Sequence, residues 1–161
     1  NFGFDGNCHA MFSSATSDLS VCVYNALPSE VATNAIIDYY LSKCNVYLPV
    51  VVGDDIMLVR IDKDTQYSVG KWGIIEPCGQ RLLPCDVQLN LCITPLLGFD
   101  NQLNRIGKGK GFYDRFFEKT NCLKVAIAYE CQRLENFEVD SFDKKMDCVI
   151  TQQGIYKNES N

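Results

Sequence analysis

The residues from Asn104 to Arg115 carry the densest chemistry in the chain. Gly107, Gly109 and Gly111 alternate with Lys108 and Lys110; Arg105 and Ile106 precede them, and Phe112, Tyr113, Asp114 and Arg115 follow. Glycine permits positive φ and lets a ligand approach the main chain closely. Successive N–H groups in such a turn form a concave anion site, and Arg105, Lys108 and Lys110 add full positive charges. The pattern from Phe112 to Lys119 predicts a helix whose N-terminal dipole would face the same anion. A phosphate-bearing ligand fits this chemistry, and Asp114 stands where it would meet the Mg²⁺ that accompanies ATP. A solvated basic surface loop is the competing reading. The segment is not a Walker A loop, because no Gly-Lys-Ser/Thr closes it. Nor is it a dinucleotide fingerprint, because its third glycine falls one place early.

The elements that must position this loop follow from hydrophobic patterning. Val21 to Tyr24 is a short apolar run that predicts a buried strand. Pro28, Ser29 and Glu30 carry helix-start signals, with Ile36, Ile37, Tyr40 and Leu41 as the apolar face. Val46 to Val52 and Ile56 to Ile61 are β-branched runs joined by Gly53, Asp54 and Asp55, a hairpin pattern. Leu89 to Thr94 predicts a further strand stopped by Pro95, and Leu123 to Ala128 and Asp147 to Thr151 two more. Strands alternating with helices predict an α/β domain with a mostly parallel or mixed sheet. In such sheets ligands gather beyond the carboxyl ends of the strands. Glu30 follows the first strand, the glycine loop follows strand 89–94, and Asp143 lies between the last two. The three are expected at one sheet edge.

Composition bounds the function. The 161 residues are expected to form one domain over 1–161, with 47% hydrophobic and 22% charged residues, ordinary values for a soluble globular protein. No apolar run is long enough to span a bilayer, and no basic stretch precedes an apolar one as in a secretory signal. A net charge of −5 argues against nucleic-acid binding by general attraction. The charge is uneven: no Lys or Arg occurs before Lys43, whereas six basic and two acidic residues lie between Arg105 and Lys124. The nine cysteines contain no Cys-x-x-Cys pair, and His9 is the single histidine. A structural zinc site needs closer ligand pairs. The cysteines are expected to be reduced, mostly buried small hydrophobes in a cytoplasmic protein. No Ser-His-Asp or Cys-His arrangement can be built around His9.

Asn104 to Arg115 resembles the signature loop of the 5-formyltetrahydrofolate cyclo-ligases, the methenyltetrahydrofolate synthetases, with mild departures at Ile106 and Phe112. Other blocks are similar in the same order: Ser29 to Thr33, Trp72 to Pro77, Pro95 to Asp100, and Phe142-Asp143 through Ile150-Thr151. Together they cover roughly residues 20 to 156. The resemblance implies a three-layer α/β/α fold related to the NagB/RpiA/CoA-transferase group. It implies conversion of 5-formyltetrahydrofolate and ATP to 5,10-methenyltetrahydrofolate, ADP and phosphate, with Mg²⁺ as cofactor and no nucleic-acid or membrane partner, in a monomer or weak homodimer. It assigns ATP to the run Arg105 to Tyr113, with Arg105, Lys108 and Lys110 serving catalysis. It assigns Asp114 and Asp143 to the metal. Asn25, Glu30, Trp72 and residues 108–112, ending at Phe112, are assigned to the folate. Glu30 can accept two pterin N–H bonds; as a helix-start acid it would also favour the helix dipole. Trp72 can stack on a flat ring or pack in the core, and Tyr113 can flank the nucleotide or join the core. One departure stands out. Members of the family usually begin with a helix carrying a Lys and an Arg that reach ATP, and Asn1 to Leu19 contain neither.

Overall fold

The structure, a computed structural model, describes residues 19–70 and 73–157. Trp72 lies outside the described residues, as do Cys8, His9 and, of the segment compared with the basic helix, residues 1–18.

Among the described residues, eight strands form one sheet. Its centre is β1 (Ser20–Val23), flanked by β2 (Asn45–Val52) on one side and β7 (Leu91–Thr94) on the other. Beyond β2 come β3 (Asp55–Ile61) and β6 (Arg81–Leu82); beyond β7 come β10 (Leu123–Ile127), β11 (Cys148–Thr151) and β12 (Gly154–Lys157). The run β11-β10-β7-β1-β2 is parallel throughout, and the outer strands β3, β6 and β12 are antiparallel. Val52 pairs with Asp55, so the turn between β2 and β3 contains only Gly53 and Asp54, and Asp55 belongs to the strand.

Burial of the parallel strands on both faces explains their continuous apolar runs. Val21, Val23, Leu91, Ile93, Val125 and Ile127 point to one face, where α1 (Asn34–Leu41) covers them through Ile36. Ile37, Tyr40 and Leu41 of the same helix pack on Val46, Leu48 and Ile61. The alternate residues Cys22, Tyr47, Cys92, Ala126 and Val149 face the opposite way and meet Phe116 and Phe117 of α2 (Phe112–Glu118). One helix on each face gives the expected three layers. None of the eight described cysteines forms a disulfide with another; three are buried and three exposed. The expectation that they are mostly buried therefore holds only in part.

The helix start read at Pro28–Glu30 is wrong by several residues. Those positions form a turn closed by Glu30 N–H on the Leu27 carbonyl (2.9 Å), while the Glu30 carboxylate accepts from Leu27 N–H (2.9 Å). This local side chain-to-backbone bond competes with helix. The helix begins only at Asn34, and even Thr33 does not cap it: its hydroxyl donates to the Tyr24 carbonyl (2.7 Å). Glu30 is thus not a helix-dipole acid.

Two small hairpins were not evident from periodicity, because each strand has only two or three residues. One pairs β4 (Tyr67–Val69) with β5 (Ile75–Pro77); the other pairs β8 (Gly98–Phe99) with β9 (Arg105–Ile106). Both flank the site described next.

Candidate active site

The chain leaves β1 for β2 on one side and later returns to place β7 on the other. The crevice between the carboxyl ends of β1 and β7 is therefore the topological switch point of the sheet, where ligands bind in folds of this kind. A cleft of about 940 Å³ opens there. Its walls include Asn25 and Glu30 after β1, Arg105 to Arg115 after β7, and Asp143 from the segment between β10 and β11. The expected convergence of these three regions is what the fold produces.

The loop that delivers Arg105 is built around Asp100. The Asp100 carboxylate is buried and accepts from Gln102 N–H (2.9 Å), Asn104 N–H (2.9 Å) and the Asn104 side-chain amide (2.7 Å). This knot holds Leu103 at φ 63°, a left-handed conformation that an L-residue adopts only when its surroundings fix it. The sequence signal was present in the Asp/Asn-rich run from Asp100 to Asn104, a turn chemistry, but its positioning role emerges only from the hydrogen bonds.

Arg105 lies beneath the glycine loop with its side chain 5% exposed. Its guanidinium sits over the Tyr113 ring (5.4 Å to the centroid) and approaches Asp114 at 3.5 Å. Its Nε has no hydrogen-bond partner among the described residues, so a buried donor of the guanidinium awaits an acceptor. Gly107 is required by proximity: a Cβ there would lie 2.7 Å from Arg105 Nη1. Gly109, at φ 74°, and Gly111, at φ 64°, are instead required by backbone conformation.

Lys108, expected on a phosphate, reaches Glu30: its Nζ stands 3.1 Å from Glu30 Oε1. Lys110 is exposed on the same wall. Asp114 also accepts from Lys144 N–H (3.1 Å), which brings the residue next to Asp143 against it. The Asp143 carboxylate accepts from Asp140 N–H (2.9 Å). Asn25 donates its amide to the Ile75 carbonyl (3.1 Å) and so ties the β4–β5 hairpin to the cleft. Phe112 lines the cleft under Arg115, whose guanidinium sits 5.5 Å from the ring centroid and donates to the Asp54 carbonyl (3.1 and 2.5 Å). This tether of the loop to the β2–β3 turn was not foreseen. Tyr113 lines the cleft and packs against the core; burial pushes its phenol well above the ordinary range, and the nearby Cys92 and Cys22 sulfurs act in the same direction. Of the two expectations for Tyr113, packing against the core is realised. Burial likewise raises the Tyr24 phenol, with Glu30 adding to the effect; its hydroxyl donates to the Val31 carbonyl (2.7 Å) and fixes the loop carrying Glu30.

Such a cleft presents cations and glycine backbone at one wall, a fixed carboxylate at another, and two further aspartates, Asp114 and Asp143, in its lining. Residues 9–152 match the model of the 5-formyltetrahydrofolate cyclo-ligase family.

The chain belongs to that family.

Relatives of this cyclo-ligase chain extend over most of its length. It is 32% identical to the probable 5-formyltetrahydrofolate cyclo-ligase of Schizosaccharomyces pombe, over 86% of this chain and 78% of that protein. It is 33% identical to the 5-formyltetrahydrofolate cyclo-ligase of Haemophilus influenzae, over 77% and 71%. The fold is similar to the NMR structure of the 5,10-methenyltetrahydrofolate synthetase of Aquifex aeolicus, with a TM-score of 0.77 and 30% identity, covering 89% of this chain and 74% of that one. It also matches the synthetase of Mycoplasma pneumoniae, with a TM-score of 0.65 and 23% identity over 89% and 79%, a likeness of fold alone.

Proposed function

We propose that the whole chain acts as one cytoplasmic cyclo-ligase domain that uses ATP and Mg²⁺ to convert 5-formyltetrahydrofolate into 5,10-methenyltetrahydrofolate, releasing ADP and phosphate. The observation that carries this reading is the meeting of Glu30, the glycine loop and the two aspartates in one switch-point cleft of a chain that belongs to the cyclo-ligase family. The formyl oxygen attacks the γ-phosphate and ADP leaves, giving an iminium phosphate; N10 of the folate then attacks the formyl carbon and loses its proton, and the ring closes as the C–O bond breaks and phosphate leaves. Chemistry of this kind depends on positioning and charge neutralisation, with no covalent nucleophile on the protein.

In this reading Arg105 and Lys110 neutralise the phosphates, and Gly107, Gly109 and Gly111 offer them backbone. Lys108 serves the phosphates once it leaves Glu30. Glu30, already held by one oxygen, accepts the pterin N–H groups with Asn25 beside it, and Phe112 flanks the reacting folate. Asp114 and Asp143 would hold Mg²⁺. The donor set fits: Asp114 and Asp143 both line the cleft, and Mg²⁺ characteristically takes one or two carboxylates together with substrate phosphates. The ion would neutralise charge on the transferring phosphoryl group.

The test is direct. Full-length protein is mixed with 5-formyltetrahydrofolate, ATP and Mg²⁺, and the methenyltetrahydrofolate absorbance is followed. Product formation that requires both ATP and Mg²⁺ is the expected result. Tight binding of ATP or folate without product would overturn catalysis and leave a non-catalytic binding homologue.

A further inference from the structure

The ion pair between Lys108 and Glu30 joins the two walls of the switch-point crevice. Its members are unequal. The Glu30 side chain is 10% exposed, and its Oε2 is pinned by Leu27 N–H at 2.9 Å, so the carboxylate is fixed. Lys108 is 55% exposed, and the next residue, Gly109, has nothing within 4 Å of where a Cβ would stand. A lysine also carries a flexible four-carbon stem and a point charge that needs no fixed geometry. Lys108 is the partner that can move. While it stays, one oxygen of Glu30 is occupied and its negative charge is neutralised, so a ligand offering N–H donors must displace an ammonium to bind. A polyphosphate in the glycine loop offers Lys108 a denser negative charge only a side-chain rotation away.

We infer that the Lys108–Glu30 pair is a coupling latch: nucleotide phosphate draws Lys108 off Glu30, freeing the carboxylate for the second substrate, so nucleotide and folate bind with positive cooperativity. This rests on the cyclo-ligase reading of the cleft. The energy required is small, because the lysine end of the pair is 55% exposed and solvent screens it. The expected coupling is therefore roughly three- to tenfold in affinity, toward the lower end of coupling between linked sites. By reciprocity, folate tightens nucleotide by the same factor.

The experiment is calorimetry on the full chain with 5-formyltetrahydrofolate, in the presence and absence of a saturating non-hydrolysable ATP analogue and Mg²⁺. In the unaltered protein the folate Kd is expected to fall roughly three- to tenfold with the analogue, by the same weak-pair argument. In Lys108→Gln, whose exposed side chain leaves folding intact, the analogue should leave the folate Kd unchanged. Lys108→Arg should restore part of the coupling. Coupling of equal size in Lys108→Gln, or none in the unaltered protein, overturns the latch. A second measurement separates this from failure of the folate reading: ¹³C NMR of glutamate carboxylates, with the Glu30 signal assigned by its loss in Glu30→Gln. Adding the analogue alone should shift that signal. A signal that does not move overturns the latch; one that moves in a protein that binds no folate keeps the latch and overturns the folate assignment.

Discussion

At the scale of single residues, the site depends on charges held by few contacts. Glu30→Gln is expected to weaken folate binding by about 1.5–3 kcal/mol, the worth of hydrogen bonds to a charged group, while ATP still binds. The Gln carbonyl can keep the Leu27 N–H bond, so melting should change little; calorimetry and a thermal scan on the same variant check both. Retained folate affinity would remove Glu30 from the pterin. Asp114→Asn should act differently. Asp114 faces Arg105, whose side chain is 5% exposed, and it also accepts the Lys144 N–H. Neutralising it leaves a buried cation less compensated, so stability should drop by about 1–3 kcal/mol and the Mg²⁺ needed for half-maximal turnover should rise. A variant with unaltered Mg²⁺ dependence would exclude Asp114 from the metal. Its Arg105 partner explains why a single substitution touches both fold and cofactor.

At the scale of elements, the glycine loop contains glycines of two physical kinds. Gly109 is at φ 74° with nothing within 4 Å of where a Cβ would stand, so Gly109→Ala should cost only the left-handed penalty of roughly 1–2 kcal/mol. Gly107 has no positive φ, but its Cβ would strike Arg105 Nη1 at 2.7 Å. Gly107→Ala should therefore displace the guanidinium from its seat over Tyr113 and lower ATP affinity more than Gly109→Ala. Comparing melting temperature and ATP affinity for the two variants tests this; an identical pattern would mean the loop acts as a plain flexible segment. The β8–β9 hairpin supplies the foundation. Asp100→Ala would leave three N–H donors without their acceptor, two of them in buried Asn104. At about 1–3 kcal/mol per unpaired buried donor, that substitution should be among the most destabilising in the chain.

At the scale of the whole molecule, one polar network ties the last three strands of the sheet. Glu130, just after β10, accepts from Thr151 of β11 (2.8 Å) and from Tyr156 of β12 (2.9 and 3.0 Å), and Arg133 lies over the Tyr156 ring (4.7 Å). The Thr151 hydroxyl, followed by the Tyr156 hydroxyl and Arg133, holds the Glu130 carboxyl below its ordinary range. A carboxyl depressed in the folded state contributes stability above its unfolded pKa and loses it as pH falls through the folded value. The acid limb of the stability curve should therefore steepen below the ordinary carboxylate range, and Glu130→Gln should flatten it. Denaturant titrations between neutral pH and pH about 3, below the ordinary glutamate value, measure this; equal slopes for the two proteins would remove Glu130 from the acid response.

What the sequence alone determined were features that local chemistry encodes. The buried parallel strands announce themselves as apolar runs because both faces are covered. The β2–β3 turn is marked by Gly53, and the phosphate-loop reading follows from three alternating glycines with cations between them. Five ordered blocks sufficed to point to the family. Tertiary structure decided the pairings. Pro28–Glu30 resembles a helix start, but the Glu30 carboxylate folds back on Leu27 N–H and then meets Lys108, a residue 78 positions away; no local pattern contains that contact. The roles of Asp100, of Arg115 on the Asp54 carbonyl, and of Lys144 N–H on Asp114 likewise depend on strand order. That order places β1 and β7 side by side at the switch point, and it is fixed by burial across the whole sheet rather than by any one segment.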